Sequence, residues 1–356
     1  MSKLKLRIDP YNRKYRGGVI ACLKVFWQLN DEMAERFFAW KYEDNPWSTR
    51  IHLVLLLDGE EVVGMRGACP LPIHAPNREP LMAAMVGDSF IVSKYRGGRE
   101  FFQMTRMLLQ MMNAEGISYA LNASATAPVR RVSVREGWTD TGSFPVLEYN
   151  NTSKLRTDSG LASLDPLLEA WQPVDNGWIH MSSKFYVGAL TTLQSNQKPV
   201  ALEVERNDLY WRWRPLNPRI DYRVMYLFDS SESGSSNSNQ RAVGALRAAI
   251  VIGVDKALLA NRVWIAGWIT RDSGSLRDLL AYFFEINPFK TLYTMAPAGP
   301  AAGSFSSVGF VQSRNSAMDF RILIRSTDTQ PADSEWVAQM SKVEHWQHHG
   351  MNLDEL

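Results

Sequence analysis

The chain has 356 residues, a formal net charge of +2 and a sequence pI near 8.4. It is long enough for two domains of ordinary size and too evenly charged to call for a nucleic acid. Only Cys22 and Cys69 are present, which is no disulfide framework, and the N-terminal MSKLKLRIDPYNRKYRGG has no apolar core of signal-peptide length. No run reaches the roughly 18 consecutive apolar residues of a membrane span, so a cytoplasmic, reduced protein is expected. The 12 tryptophans and 15 methionines are read as fillers of irregular cores.

In chain order, helical segments are predicted near 17–28 and 31–41. A hairpin follows over LVLLLDGEEVVGMRGA, with Asp58-Gly59 as its tight turn. Strand 82–92 then leads through Tyr95-Arg96-Gly97-Gly98-Arg99 into helix 99–115, where Phe101, Met104, Leu108 and Met111 recur at three- and four-residue spacing and Gly116 stops the helix. Strand 117–122, a helix over roughly 126–136 and the pair Gly137-Trp138 complete the unit. Strand, glycine turn and helix start together form an anion site, because backbone N–H groups and the positive end of the helix dipole converge there. Read alone, the turn is either such a site or a surface loop.

The unit then repeats. The segment from Phe37 to Pro46, FFAWKYEDNP, is echoed by LYWRWRPLNP from Leu209 to Pro218, and strands HLVLLLD and YRVMYLFD follow in turn. Asn45-Pro46 and Asn217-Pro218 stand 172 residues apart, as do Gly137-Trp138 and Gly309-Phe310. Shared order with shared spacing points to a duplicated domain. In the second copy a strand over 263–270, a helix near 275–286 and a strand at 291–295 are predicted. Its insert DSSESGSSNSNQR (229–241) has the composition of a mobile, solvated loop.

This order of elements resembles the GNAT superfamily of acyl-CoA-dependent acyltransferases, and in particular its tandem-domain members. The resemblance implies two mixed α/β domains, each a mixed central sheet flanked by helices: 1–150 binding the acyl donor, 151–194 connecting, 195–340 a degenerate second copy, and 341–356 a tail. In that family a strand splays open to receive pantetheine, and the turn after it wraps the pyrophosphate. The turn typically runs Arg or Gln, two residues, Gly, one residue, then Gly or Ala. The residues in these places are Ile91, Val92, Ser93, Arg96, Gly97, Gly98, Arg99, Glu100 and Phe101. Arg96 fits the pattern, whereas Arg99 and Phe101 occupy places the family gives to small residues. Thr270-Arg271-Asp272-Ser273-Gly274 in the second copy suits helix capping better than diphosphate binding, so a single donor site is expected.

Acyl transfer to an amine needs proximity, a proton acceptor and an oxyanion donor. The resemblance makes Asp88 the candidate base, the alternative being an anchor for the hairpin or loop, and places Asn122 where its amide faces the donor. Ser133 stands where many members carry a tyrosine aimed at the leaving thiolate; Tyr95, Tyr119 or solvent are the replacements. The expected activity is transfer of an acyl group from acyl-CoA to an amine of a small molecule, with acyl-CoA as co-substrate and no tightly bound cofactor or metal. An acyl carrier protein as donor, an aminoacyl-tRNA donor as in Fem-type transferases, and a non-catalytic binding protein are the alternatives. His345, His348 and His349 read as a solvated tail, His52 and His180 as core histidines, and Trp40, Tyr42, Trp211 and Trp213 as packing between the copies or the lining of an acceptor cleft.

Overall fold

A computed structural model describes residues 6–123, 125–150, 171–174, 177–197, 199, 201–229, 246–255, 263–286, 291–297, 301–314, 320–327, 334–342 and 346. The first half runs β1 (Leu6–Pro10), α1 (Arg16–Trp27), α2 (Asp31–Phe38), a π-helical turn (Ala39–Glu43), β2 (His52–Asp58), β3 (Glu61–His74) and β4 (Leu81–Ile91). It continues with α3 (Glu100–Asn113), β5 (Tyr119–Asn122), α4 (Ala127–Arg135), β6 (Thr139–Phe144) and β7 (Val146–Asn150). The second half runs β8 (Trp171–Val174), β9 (Gly177–Ser182), α5 (Val187–Ser195), β10 (Glu203–Val204), α6 (Asp208–Trp213), β11 (Ile220–Asp229), β12 (Leu246–Asp255) and β13 (Val263–Thr270). It ends with α7 (Ser273–Ile286), β14 (Thr291–Met295), α8 (Ala301–Ser307), β15 (Val311–Gln312), β16 (Phe320–Ser326) and α9 (Ser334–Met340).

Local chemistry sets the matching starts of the two halves. Asn30 caps α2 by accepting from the Met33 N–H at 2.8 Å, and Asn207 caps α6 by accepting from Tyr210 at 3.1 Å. The β2–β3 hairpin turns at Gly59, whose φ of 62° is open to glycine at no steric cost. The duplication is visible bond by bond. Trp138 donates to the Ser133 carbonyl and Gly137 to that of Val134; Phe310 donates to Phe305 and Gly309 to Ser306, the same pattern 172 residues later. Gly137 and Gly309 have φ of 90° and 96°. Asn45 accepts from the Trp47 N–H, and Asn217 from that of Arg219, 2.9 and 3.0 Å.

Each half builds an eight-stranded mixed sheet, but not from its own strands alone. The first sheet is ordered β1-β2-β3-β4-β5-β16-β6 with β10 on β3, and the second β15-β7-β14-β13-β12-β11-β9-β8. β16, from the end of the chain, enters between β5 and β6, while β7 enters between β14 and β15. The two halves have therefore exchanged their last strands, and a cut at residue 150 does not separate the sheets. Part of the expected connecting segment is structural as well: β8, β9 and α5 belong to the second unit. Residues 230–241 of the polar insert and His345, His348 and His349 lie outside the described residues.

The halves meet on a local two-fold relation. The Trp40 and Trp213 rings stack with centroids 4.9 Å apart and planes 9° apart, and each indole N–H donates to the other's carbonyl at 3.0 and 2.8 Å. These tryptophans are 173 residues apart, one more than the repeat. The first copy fits one extra residue between Trp40 and Asn45 by widening to a π turn, in which Asp44 donates to Ala39. The second tightens to a 3₁₀ turn over Arg214–Leu216. One buried apolar cluster crosses this seam, from Leu23 and Phe37 through both tryptophans to Val224. Separate clusters lie under α3 and α7.

Candidate active site

β4 and β5 run parallel and are paired only from Ala83↔Tyr119 to Met85↔Leu121. Beyond Met85 the two strands are no longer paired: β5 ends at Asn122, while β4 runs on to Ile91. On its other edge β4 is bulged: Gly67 pairs with Gly87 and Met65 with Phe90, so Asp88 and Ser89 together face Arg66. Asp88 takes a φ of 47° there. The bulge lies just beyond the stretch of β4 that pairs with β5, and a bulge of this kind bends its strand.

The predicted basic turn connects the end of β4 to α3. Val92 donates to the Val63 carbonyl, Ser93–Tyr95 form a 3₁₀ turn, and Gly97 takes a φ of 96° that a side chain would resist. α3 then starts at Glu100 with Arg99 at its N-cap and no side-chain cap. Arg96, Gly97, Gly98 and Arg99 are exposed. Arg96 also ties the loop to its strand, because its Nε donates to the Ile91 carbonyl at 2.6 Å. Glu100 folds its carboxylate back over Gly98, where an added Cβ would collide with it. Phe101 receives the Arg66 guanidinium on its ring at 4.4 Å, and Arg66 donates to the Ser89 hydroxyl. The bulge and the start of α3 are thus joined through one buried arginine.

The second copy closes the equivalent position with its own side chain. Asp272 accepts from the Ser275 N–H at 2.7 Å and the Ser275 hydroxyl at 2.8 Å, filling the start of α7. Burial opposes the Asp272 charge, but these two donors outweigh it and hold the carboxyl below its usual pKa. Arg271 pairs with Asp229 at 3.1 Å and donates to the Leu246 carbonyl.

Residues 7–136 match the family model described as an acetyltransferase (GNAT) domain. The N-terminal unit is a GNAT domain. Solved structures extend the fold likeness across the chain. A GCN5-related N-acetyltransferase from Anabaena variabilis ATCC 29413 aligns at 12% identity over 91% of this chain and 73% of its own, with a TM-score of 0.59. A tandem GNAT protein from the clavulanic acid biosynthesis pathway aligns at 11% identity over 92% and 100%, with a TM-score of 0.54. Saccharomyces cerevisiae N-myristoyltransferase with bound myristoyl-CoA and inhibitors aligns at 10% identity over 92% and 80%, with a TM-score of 0.57. The chain accordingly has the tandem GNAT architecture, two mixed sheets flanked by helices. No curated protein matches the sequence.

Within the GNAT unit, the remaining expected residues fall in different surroundings. Asn122 is buried at the end of β5, opposite Leu323 of the exchanged strand. Ser133 is buried in α4 and lines a small recess with Phe101, Phe102, Thr105, Arg106, Trp138 and Arg325. That recess is therefore completed by β16. Tyr95 is buried and donates to Asp58 at 2.6 Å, bracing the hairpin. Asp88 departs furthest from an open carboxylate. Its oxygens accept from the Trp27 indole at 2.7 Å and from the Tyr42 hydroxyl, and Lys41 Nζ lies 2.9 Å away. It is an enclosed anchor with three donors, where a base open to an incoming amine was one of two expectations.

Lys41 was not visible as a site residue in the sequence, and Tyr42 was read there as packing between the copies or the lining of an acceptor cleft, not as a partner of Asp88. The one available signal was the extra residue of WKYEDNP relative to WRPLNP. The histidine expectations match: His52 is buried 3.3 Å from Glu115, with its pKa pushed down by burial against the pull of that carboxylate. His180 bonds Tyr186 at 3.0 Å and stacks on it. Among the described residues no cluster of His, Cys, Asp and Glu has a metal-binding arrangement, and no helix is long and apolar enough to cross a membrane.

Proposed function

We propose that the protein is an acyl-CoA-dependent N-acyltransferase with one donor site, in the first unit, acting on an amine of a small molecule. One contrast supports the reading: the start of α3 has no side-chain cap beside Gly97 and Gly98, whereas Asp272 fills the same place before α7. An uncapped helix start supplies N–H groups and dipole to a diphosphate, and Arg96 and Arg99 add charge. Ile91, Val92 and Ser93 lead the pantetheine arm along the part of β4 that is not paired with β5, whose edge offers it backbone partners. The amine attacks the thioester carbon and loses a proton to solvent, the tetrahedral oxyanion collapses with cleavage of the C–S bond, and the thiolate, with a thiol pKa of about 8.5, leaves with little help. Asn122 faces the donor from the end of β5. Ser133, too short to act at a distance, leaves protonation of the thiolate to solvent.

Calorimetric titration of CoA tests the contrast. Arg96→Ala weakens binding by about 1.5–3 kcal/mol, the scale of a hydrogen bond to a charged group, and Arg271→Ala leaves it unchanged. Equal affinity of parent and Arg96→Ala, or no binding of CoA by the parent, overturns the assignment. Thiol release from acetyl-CoA over a panel of amines then identifies the acceptor class.

A further inference from the structure

A buried charged group inside the first unit plays no part in the reaction just described. The Lys41 and Asp88 side chains are 2% and 0% exposed and form an ion pair at 2.9 Å. Asp88 also accepts from Trp27 of α1 and from Tyr42 of the π turn. Burying such a pair costs desolvation, and pairs of this kind are more readily explained by what they fix than by what they stabilise. What this one touches is the single residue of β4 with a positive φ, at the bulge. The approach is shaped for it: a Cβ on Gly67, across the ladder from Gly87, would run into the Tyr42 hydroxyl.

We propose that Lys41, Tyr42 and Trp27 act as a positioning clamp, holding Asp88 in the left-handed backbone state that creates the β4 bulge and thereby setting the donor cleft. The inference rests on the donor-site reading above. Left-handed backbone at a non-glycine residue persists where its surroundings over-determine it, and here three donors from two other elements converge on one carboxylate. From the bulge the geometry passes through Ser89 to Arg66 and through Arg66 to Phe101, in the first turn of α3. The π turn supplies the clamp: the extra residue that separates the copies lets one turn present Trp40 to the seam and Lys41 and Tyr42 to Asp88. In this assignment Asp88 acts through its backbone.

Glycine adopts the left-handed state without help and alanine does not, so two charge-balanced double variants separate the roles. In both, Lys41→Met removes the cation that would otherwise lie buried without its partner. Lys41→Met/Asp88→Gly is expected to bind CoA within about threefold of the parent, and Lys41→Met/Asp88→Ala at least tenfold more weakly. Hydrogen exchange of the amides over residues 86–91, read on the same proteins without ligand, is expected to rise in the alanine variant and to stay near the parent in the glycine variant. Equal exchange and equal CoA affinity in the two variants would overturn the clamp. So would unchanged affinity in both with kcat lost in both, which makes Asp88 the base. If the parent binds no CoA, the function proposed above fails, and the exchange comparison still decides the clamp.

Discussion

Glu100 opens α3 and folds over Gly98, so the helix start already has a carboxylate beside it. An acid in the first turn is favourable for the dipole, but under the donor-site proposal its charge would repel a diphosphate bound at this turn. Glu100→Gln is therefore expected to strengthen CoA binding by about 0.3–1 kcal/mol, the usual size of a charge effect at a helix terminus, with the gain shrinking as salt is raised. Titration at two ionic strengths checks this, and weaker binding by the variant would assign Glu100 an attractive contact instead. The adjacent glycines differ. Gly97 is required by its φ of 96°, whereas a side chain at Gly98 would meet only the end of the flexible Glu100 side chain, which can swing away.

At the scale of the element, α3 and α7 are copies of one helix, of which only α7 is capped by a side chain. Asp272 gives α7 its cap, and Asp272→Ala removes two hydrogen bonds at once. Loss of about 1 kcal/mol of stability is expected, typical of a deleted N-cap, read as a lower midpoint in urea unfolding with CoA affinity unchanged. A change in CoA affinity would show that the second copy takes part in donor binding. The π turn and the 3₁₀ turn also differ. Both bring a tryptophan to the seam, but only the looser turn has the extra residue that sends Lys41 and Tyr42 inward to Asp88.

For the whole molecule, the exchanged strands are decisive. Without β16 the first sheet ends at β5, and β6, which pairs with β16, has no neighbour; without β7 the second sheet loses the strand between β14 and β15. Open edges of this kind cost backbone hydrogen bonds and invite aggregation. Residues 1–150 expressed alone are expected to show no cooperative unfolding transition, while co-expression with residues 151–356 restores one, and the intact chain melts in a single step. A cooperative transition of the isolated 1–150 fragment would show that β16 is dispensable.

The sequence by itself determined what depends on near neighbours and on repetition. The elements from α1 to α4, the Asp58-Gly59 turn, the glycine-rich loop before α3, the helix cap in the second copy and the duplication were legible, because turn chemistry, hydrophobic period and a constant 172-residue offset are written along the chain, whereas β1, β6, β8, β9, α5 and β16 were not among the expected elements. Only the tertiary structure decided which sheet β7 and β16 join, since a short apolar strand has the same pattern in either sheet. The same holds for Asp88. Whether it is an open carboxylate or an anchor depends on Trp27, Lys41 and Tyr42, which lie more than 40 residues away in the chain and meet it only after α1 and the π turn have packed onto the first sheet.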